Sequence, residues 1–440
     1  MSFVPSKYQQ GIYDFITNGN GNAVVSAVAG SGKTTTLVNA IKLIPENKRV
    51  LFLAFNKSIQ EELSKKVPNT QNIQVKTVHG FGMSAVNKLN KATVESGKYR
   101  TMLRNIIEYV KTGQLSHIAK YDFKGQQLNI IDCMGIADIL DMENITAYNN
   151  RVLALSDLGR LNLVNMSDMS VGCQELDVIA DKHNVDITNG EVEKAWYLIK
   201  LGTYVTTLID FTDMVYLPLA LNLQVFNYDF VFVDECQDLN AAQRELMLKA
   251  VKRNGGRFIA VGDEQQAIYG FAGADADSFA KLQAIPNTIT LPLSVCYRCG
   301  TKIIDMAKTI VPQIEACETA KEGVIEYDYK HMDILGGDMV LCRNTYPLVS
   351  LCLKYLSKGI KAFVMGSDIG RNLIKMIEDT QGKSGVWDMD SVFTKLDKER
   401  MKIVNSVMRK ENLTQSEAEE SNAVRTYVEK VQVIELLSKA

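Results

Sequence analysis

The segment AVVSAVAGSGKTT, Ala23–Thr35, constrains this chain more than any other. An apolar run rich in valine, Ala23–Val28, gives way to Ala29-Gly30-Ser31-Gly32 and then to Lys33-Thr34-Thr35 at the head of a helical pattern. Gly-Lys-Thr between a strand and a helix is the core of the phosphate-loop signature. Ala27 stands where the first glycine of that signature falls, one small residue for another. Backbone N–H groups from Ala29 to Lys33 can converge on a phosphate at the helix N-terminus. In that reading Lys33 reaches the β- and γ-phosphates and Thr34 ligates Mg²⁺, with Gly30, Ser31, Gly32 and Thr35 completing the nucleotide loop. The bland alternative is a Gly/Ser turn that opens a helix and binds nothing.

A phosphate loop of this kind sits on a parallel sheet, and the surrounding pattern predicts one. Strand-like runs fall at Ala23–Val28, Arg49–Phe55 and Ile73–Val78, separated by helical patterns such as KSIQEELSKKV after Asn56. From about Val86 to Leu201 the strand signals fade and amphipathic segments dominate. Strand runs return at Tyr228–Val233 and Arg257–Val261, then at Thr288–Pro292, Asp338–Cys342 and Lys361–Met365. The predicted organisation is an ATP-binding lobe in two parts, 1–85 and 202–283, interrupted by a helical insertion, 86–201. A partial second lobe follows at 284–381, and a charged helical tail at 382–440.

The run Val231-Phe232-Val233-Asp234-Glu235-Cys236-Gln237-Asp238 puts carboxylates at the end of an apolar strand. Such acids can be a solvated loop capping the helix that begins near Ala241. Beside a phosphate loop they have a second reading, in which Asp234 anchors Mg²⁺ and Glu235 accepts a proton from the attacking water.

These motifs have company in a fixed order. The run DECQD resembles the D-E-x-Q-D of UvrD/Rep-type superfamily 1 helicases. Tyr8-Gln9-Gln10 lies where that family has its adenine-reading Gln, with Gln9 the matching residue. LFLAFNKSIQEEL (51–63) and VKTVHGFG (75–82) are similar to its DNA-contacting segments, and Asp210-Phe211-Thr212-Asp213-Met214 to its D-F-x-D-[LM] element. VGDEQQAIYGFAGAD (261–275), Cys296-Tyr297-Arg298 and DMVLCRN (338–344) are similar to the motifs that follow. The resemblance implies two RecA-like lobes and an ATP-driven motor on single-stranded DNA, usually moving 3′ to 5′. It gives Gln266 a γ-phosphate-sensing role, Tyr297 an adenine-stacking face, and Arg298 neutralisation of γ-phosphate charge. Phe55, Tyr269 and Phe271 become rings for bases, and Asn56, Thr77 and His79 backbone contacts. The ordinary alternative for the aromatics is core packing.

The sequence also departs from the family pattern. Ala272 replaces an arginine, and Cys296 replaces the usual asparagine. No K-G-L-E segment and no T-R-A segment with its arginine finger follows Asp338, so the second lobe reads as incomplete; either a separate polypeptide carries the missing part, or this product is a fragment. Composition sets outer limits. Across 440 residues the net charge is only −2, so any DNA is held by a local groove rather than a global basic field. Eight scattered cysteines with no secretory pattern at MSFVPSKYQQ predict free thiols and a cytoplasmic location, and no apolar run is long enough to span a membrane. Cys296 and Cys299 form C-x-x-C without further ligands at zinc spacing, so they read as structural thiols. Two functions from different classes follow: a DNA helicase or translocase, or an ATP-gated DNA-binding half-motor that needs a second subunit to hydrolyse ATP. A small-molecule kinase built on the phosphate loop explains none of the later motifs.

Overall fold

Six parallel strands carry the architecture, in the order β3-β2-β6-β7-β1-β8. They are β1 (Asn22–Ala27), β2 (Val50–Ala54), β3 (Ile73–Thr77), β6 (Phe230–Val233), β7 (Arg257–Gly262) and β8 (Thr288–Leu293). The computed structural model describes residues 4–67, 70–112, 145–187, 190–267, 277–327, 334–342, 344–356, 358–365, 376–378, 389–411 and 413–438. The chain divides into two compact units, 1–326 and 327–440.

The inner strands β1, β2, β6 and β7 are largely buried and apolar on both faces, as strands inside a doubly covered parallel sheet must be. Successive side chains alternate between faces. Val25, Phe52, Phe232 and Ile259 therefore enter one core, with Ile12 of α1 (Lys7–Asn18), Leu37 and Ile41 of α2 (Lys33–Ile41) and Leu63 of α3 (Lys57–Lys66). Val24, Leu51, Val231 and Phe258 enter the other, with Phe81 of α4 (Val78–Leu89) and Leu246 of the helix Ala241–Ala250. The ladder registers bring the strand ends level: Ala27 pairs with Leu293, Ser26 with Gly262, Val233 with Ala260, and Ala54 with Thr77. Every β-to-α loop of the sheet thus opens on one edge, where α/β proteins bind ligands.

The insertion is helical in its described residues: α5 (Lys98–Thr112), then Ile145–Leu161, Met169–Lys182 and Glu191–Tyr204. It has its own core around Tyr99, Tyr148, Leu155, Leu176 and Trp196. A short parallel pair, β4 (Thr93–Val94) with β5 (Leu208–Ile209), ties its two ends together. Buried charges lock it to the D-F-x-D element. Arg160 makes bonds of 2.7 and 2.9 Å to Asp210 and 2.8 Å to Asp213, while Lys98 Nζ donates to Asp213 at 2.6 Å. Tyr99 closes the cluster, its hydroxyl 3.0 Å from Asp213 and its ring 3.7 Å from the Arg160 guanidinium carbon.

One strand expectation is corrected in its placement and two in kind. Thr288–Pro292 does not open a second lobe; as β8 it pairs with β1 along its whole length and extends the first sheet. Asp338–Cys342 and Lys361–Met365 are not strands. Met339, Leu341, Phe363 and Met365 are exposed there. A strand exists only through a neighbour that takes up its N–H and C=O groups, and among the described residues of 327–440 no strand is present to do so. The helices of that unit include Thr345–Leu356, Met389–Glu411, Gln415–Glu419 and Asn422–Ser438. Its apolar clusters centre on Val392, Leu396, Val433 and Ile434 and on Val404, Val407 and Val424.

Candidate nucleotide and nucleic-acid site

The phosphate loop leaves β1 and turns into α2 through two left-handed glycines, Gly30 at φ 70° and Gly32 at φ 76°. Side chains are strained in that region, and at Gly30 there is no room for one. A Cβ there would lie 2.8 Å from Arg298 Cβ and 3.0 Å from Cys296 Sγ. Gly32 is the N-cap of α2 and uses no side chain, so the helix begins with its N–H groups free to face an anion.

Lys33 and Thr34, the first residues of α2, meet the end of β6. Lys33 Nζ is 2.5 Å from Glu235 Oε2, and Thr34 Oγ1 donates to Asp234 Oδ2 at 2.7 Å. Asp234 is buried; burial and the Glu235 carboxylate push its carboxyl above the usual range, opposed by Thr34 and Lys33. A hydroxyl and carboxylates crowded against their own charge form a hard-oxygen set that suits a divalent cation, so the residues fit the Mg²⁺ that the loop implies. Glu235 itself is held at φ 53°, a left-handed conformation rare for a non-glycine residue and a mark of functional backbone strain.

Behind these groups runs a relay through Gln237, a residue to which the motifs give no role. Gln237 Nε2 donates to Glu235 Oε2 at 3.0 Å and to Asp238 Oδ2 at 3.1 Å, and its Oε1 accepts from the Asp263 N–H at 3.1 Å. Gln266 Nε2 donates to Asp263 Oδ2 at 2.6 Å. The end of β6 is thereby wired to the end of β7 and to the exposed Gln266. The Gln of DECQD was the available signal; its partner on β7 is visible only in the fold.

Tyr297 and Arg298 are exposed and lie against the loop, with the Tyr297 N–H donating to Gly30 O at 2.9 Å. Gln9 is buried, and both ends of its amide are used: Oε1 accepts from Ser6 N at 2.9 Å and Nε2 donates to Thr36 Oγ1 at 3.0 Å. It pins α1 to the phosphate-loop helix. Ala29 and Ser31 lie in the loop, Ser31 fully buried, and Thr35 in the first turn of α2.

Further along the same edge, Phe55 and Asn56 follow β2, and Thr77 and His79 end β3 and begin α4. Asn56 and Thr77 are helix N-caps, accepting from Ile59 N at 2.9 Å and from Gly80 N at 3.0 Å. Phe55 is half-buried. His79 meets Phe211 edge-on at 6.4 Å, and burial holds its imidazole below the ordinary range. Phe211 is 60% exposed, an aromatic that no site assignment from the sequence included. Tyr269 and Phe271 lie outside the described residues.

With this geometry in place, comparison decides the family. A model of the UvrD/REP helicase N-terminal domain matches residues 9–286. The chain belongs to the UvrD/Rep helicase family. Relatives include F-box DNA helicase protein 1 of Schizosaccharomyces pombe, 25% identical over 308 residues, which are 65% of this chain and 30% of the relative. A probable DNA helicase II homolog of Mycoplasma genitalium is 26% identical over 69% of this chain and 42% of its own length. ATP-dependent DNA helicase Rep of Escherichia coli is 21% identical over 69% of this chain and 42% of its own. The chain thus spans less than half the length of these relatives. Among the described residues no helix is long and apolar enough to cross a membrane.

Proposed function

We propose that this chain binds ATP and Mg²⁺ and couples ATP hydrolysis to movement along single-stranded DNA, 3′ to 5′ as the family resemblance implies. The convergence of Lys33, Thr34, Asp234 and Glu235 at one sheet edge carries the reading. Thr34 and Asp234 would hold Mg²⁺, which when bound neutralises charge on the transferring phosphoryl group. Lys33 would neutralise phosphate charge, and an incoming phosphate competes with Glu235 for it. Glu235, released from Lys33 and still oriented by Gln237, would accept a proton from the attacking water. Gln266 reports the state of this centre through Asp263 and Gln237, and Tyr297 and Arg298 close over the loop. Phe55, Asn56, Thr77, His79 and Phe211 offer a DNA-facing surface on the same edge, so a change at the phosphates and a change at the strand share one set of loops.

A second reading, an ATP-gated DNA clamp that turns over only with a separate polypeptide completing the second lobe, is favoured by the absence of strands among the described residues of 327–440. One assay separates the two: ATP hydrolysis by the purified chain with and without single-stranded DNA, using Lys33→Ala as the blank. DNA-stimulated turnover by this chain alone supports the motor. Tight ATP binding with no turnover, whatever DNA is added, removes it and leaves the clamp.

A further inference from the structure

The C-x-x-C pair belongs to none of the machinery above, yet it is wrapped around the phosphate loop. Cys296 is fully buried, in an apolar cluster with Val28 at the root of the loop, and Cys299 packs partly buried against the same cluster. The two side chains thus share one apolar cluster, three residues apart in the chain. The Cys296 sulfur lies 3.0 Å from where a Gly30 Cβ would stand. Between the cysteines sit Tyr297, whose N–H is bonded to Gly30 O, and Arg298, whose Cβ crowds the same glycine. Among the described residues no group of three or more His, Cys, Asp or Glu side chains could hold a metal.

We propose that Cys296 and Cys299 are an oxidation site whose reversible disulfide pulls Tyr297 and Arg298 away from the phosphate loop and weakens nucleotide binding. The proposal rests on the nucleotide site assigned above. The oxidant is a hydroperoxide such as hydrogen peroxide. The partly exposed Cys299, as thiolate, attacks one peroxide oxygen; the O–O bond breaks, giving a sulfenic acid and hydroxide. The Cys296 thiol then attacks the sulfenic sulfur, the S–S bond forms, and water leaves. In sum two thiols and one peroxide become one disulfide and two waters, and a dithiol reductant restores the pair. An S–S bond is about 2.05 Å with a dihedral near 90°. The bond closes a ring of four residues that contains the peptides of Tyr297 and Arg298, and these residues lie against Gly30. Burial keeps the Cys299 thiol above its ordinary range, so the reaction needs sustained peroxide.

The test treats the full chain with hydrogen peroxide, maps disulfides by mass spectrometry of unreduced peptides, and titrates a fluorescent ATP analogue before treatment, after it, and after dithiothreitol. The expected result is a 296–299 linkage, a loss of affinity of about tenfold or more, and recovery on reduction. Cys299→Ser should keep its affinity under peroxide, while Cys317→Ser should lose it as wild type does. A map lacking the 296–299 bond, a 296–317 bond in its place, or a 296–299 bond with unchanged affinity overturns the switch but not the nucleotide site. Reduced protein that binds no nucleotide overturns both.

Discussion

At the scale of single residues, the site is a balance of charges within one small volume. Lys33 pairs with Glu235, and the carboxylates of Asp234, Asp238 and Asp263 crowd around the same pair. Removing the ammonium removes a preorganised donor to the phosphates, which in comparable sites lowers turnover by about 10²–10³-fold. Lys33→Ala should therefore fall to background in a phosphate-release assay. Glu235→Gln keeps the shape and the Gln237 contact but not the base; its kcat should drop by about 10²–10⁴-fold while a fluorescent ATP analogue still binds. A Glu235→Gln protein with near-normal kcat removes Glu235 from the role of base.

Asp238 gives the same neighbourhood a pH signature. Burial, then the Glu235 carboxylate, raise its pKa to about 6, and its Oδ1 is buried with no hydrogen-bond partner. The folded pKa lies above the unfolded value of about 3.9, so the native state holds this proton more tightly. The associated stability is complete below about pH 4 and is lost as pH rises through about 6. Asp238→Asn should stabilise the protein at pH 8 by about 1–2 kcal/mol, allowing for partial solvent screening, and change little at pH 4. Urea denaturation at the two pH values checks this; an equal gain at both would show that the charge is not the cause.

At the scale of elements, the helical insertion and the sheet are joined by groups that cannot be changed one at a time. Asp213 is fully buried and accepts from Lys98, Tyr99 and Arg160. Asp213→Ala leaves two buried cations short of a partner and should cost about 3–5 kcal/mol in chemical denaturation. Helix crossing is equally exacting at Gly82 of α4, where a Cβ would stand 2.0 Å from Met214 O. The backbones touch there, and Gly82→Ala should destabilise by about 1–3 kcal/mol through forced separation. A variant as stable as wild type would mean that the helix Phe211–Ala220 can slide away without cost.

For the whole molecule, every residue that builds the proposed nucleotide site lies in the unit 1–326, from Gln9 to Arg298. The fragment 1–326 should bind a fluorescent ATP analogue within about threefold of the full chain, a difference of less than 1 kcal/mol. A fragment that folds by circular dichroism but has lost nucleotide affinity would assign part of the site to 327–440.

Local signals are enough to propose the nucleotide site of this protein. A phosphate loop needs a strand, left-handed glycines, a lysine and a hydroxyl in immediate succession, and the acidic strand end needs four adjacent residues. Both are contiguous, so Lys33, Thr34, Asp234 and Glu235 could be singled out before any fold was known, as could five of the six strands of the first sheet with their placement. What remained hidden depends on contacts between segments far apart in the chain. β8 looked like the start of a new lobe, because a parallel strand does not name its neighbour; its pairing with β1 is decided by which hydrogen-bonding edge is open. Asp338–Cys342 and Lys361–Met365 carry strand composition, but an extended segment becomes a strand only when a partner takes its hydrogen bonds. Gln237 could not be seen as a bridge without Asp263, nor Asp210 and Asp213 as anchors without Arg160 and Lys98. Nor could Cys296 be seen as a neighbour of Gly30. The sequence by itself determined the chemistry that one stretch of chain can present; tertiary structure decided which of those stretches touch, because distance along the chain says little about distance once the backbone has folded back on itself.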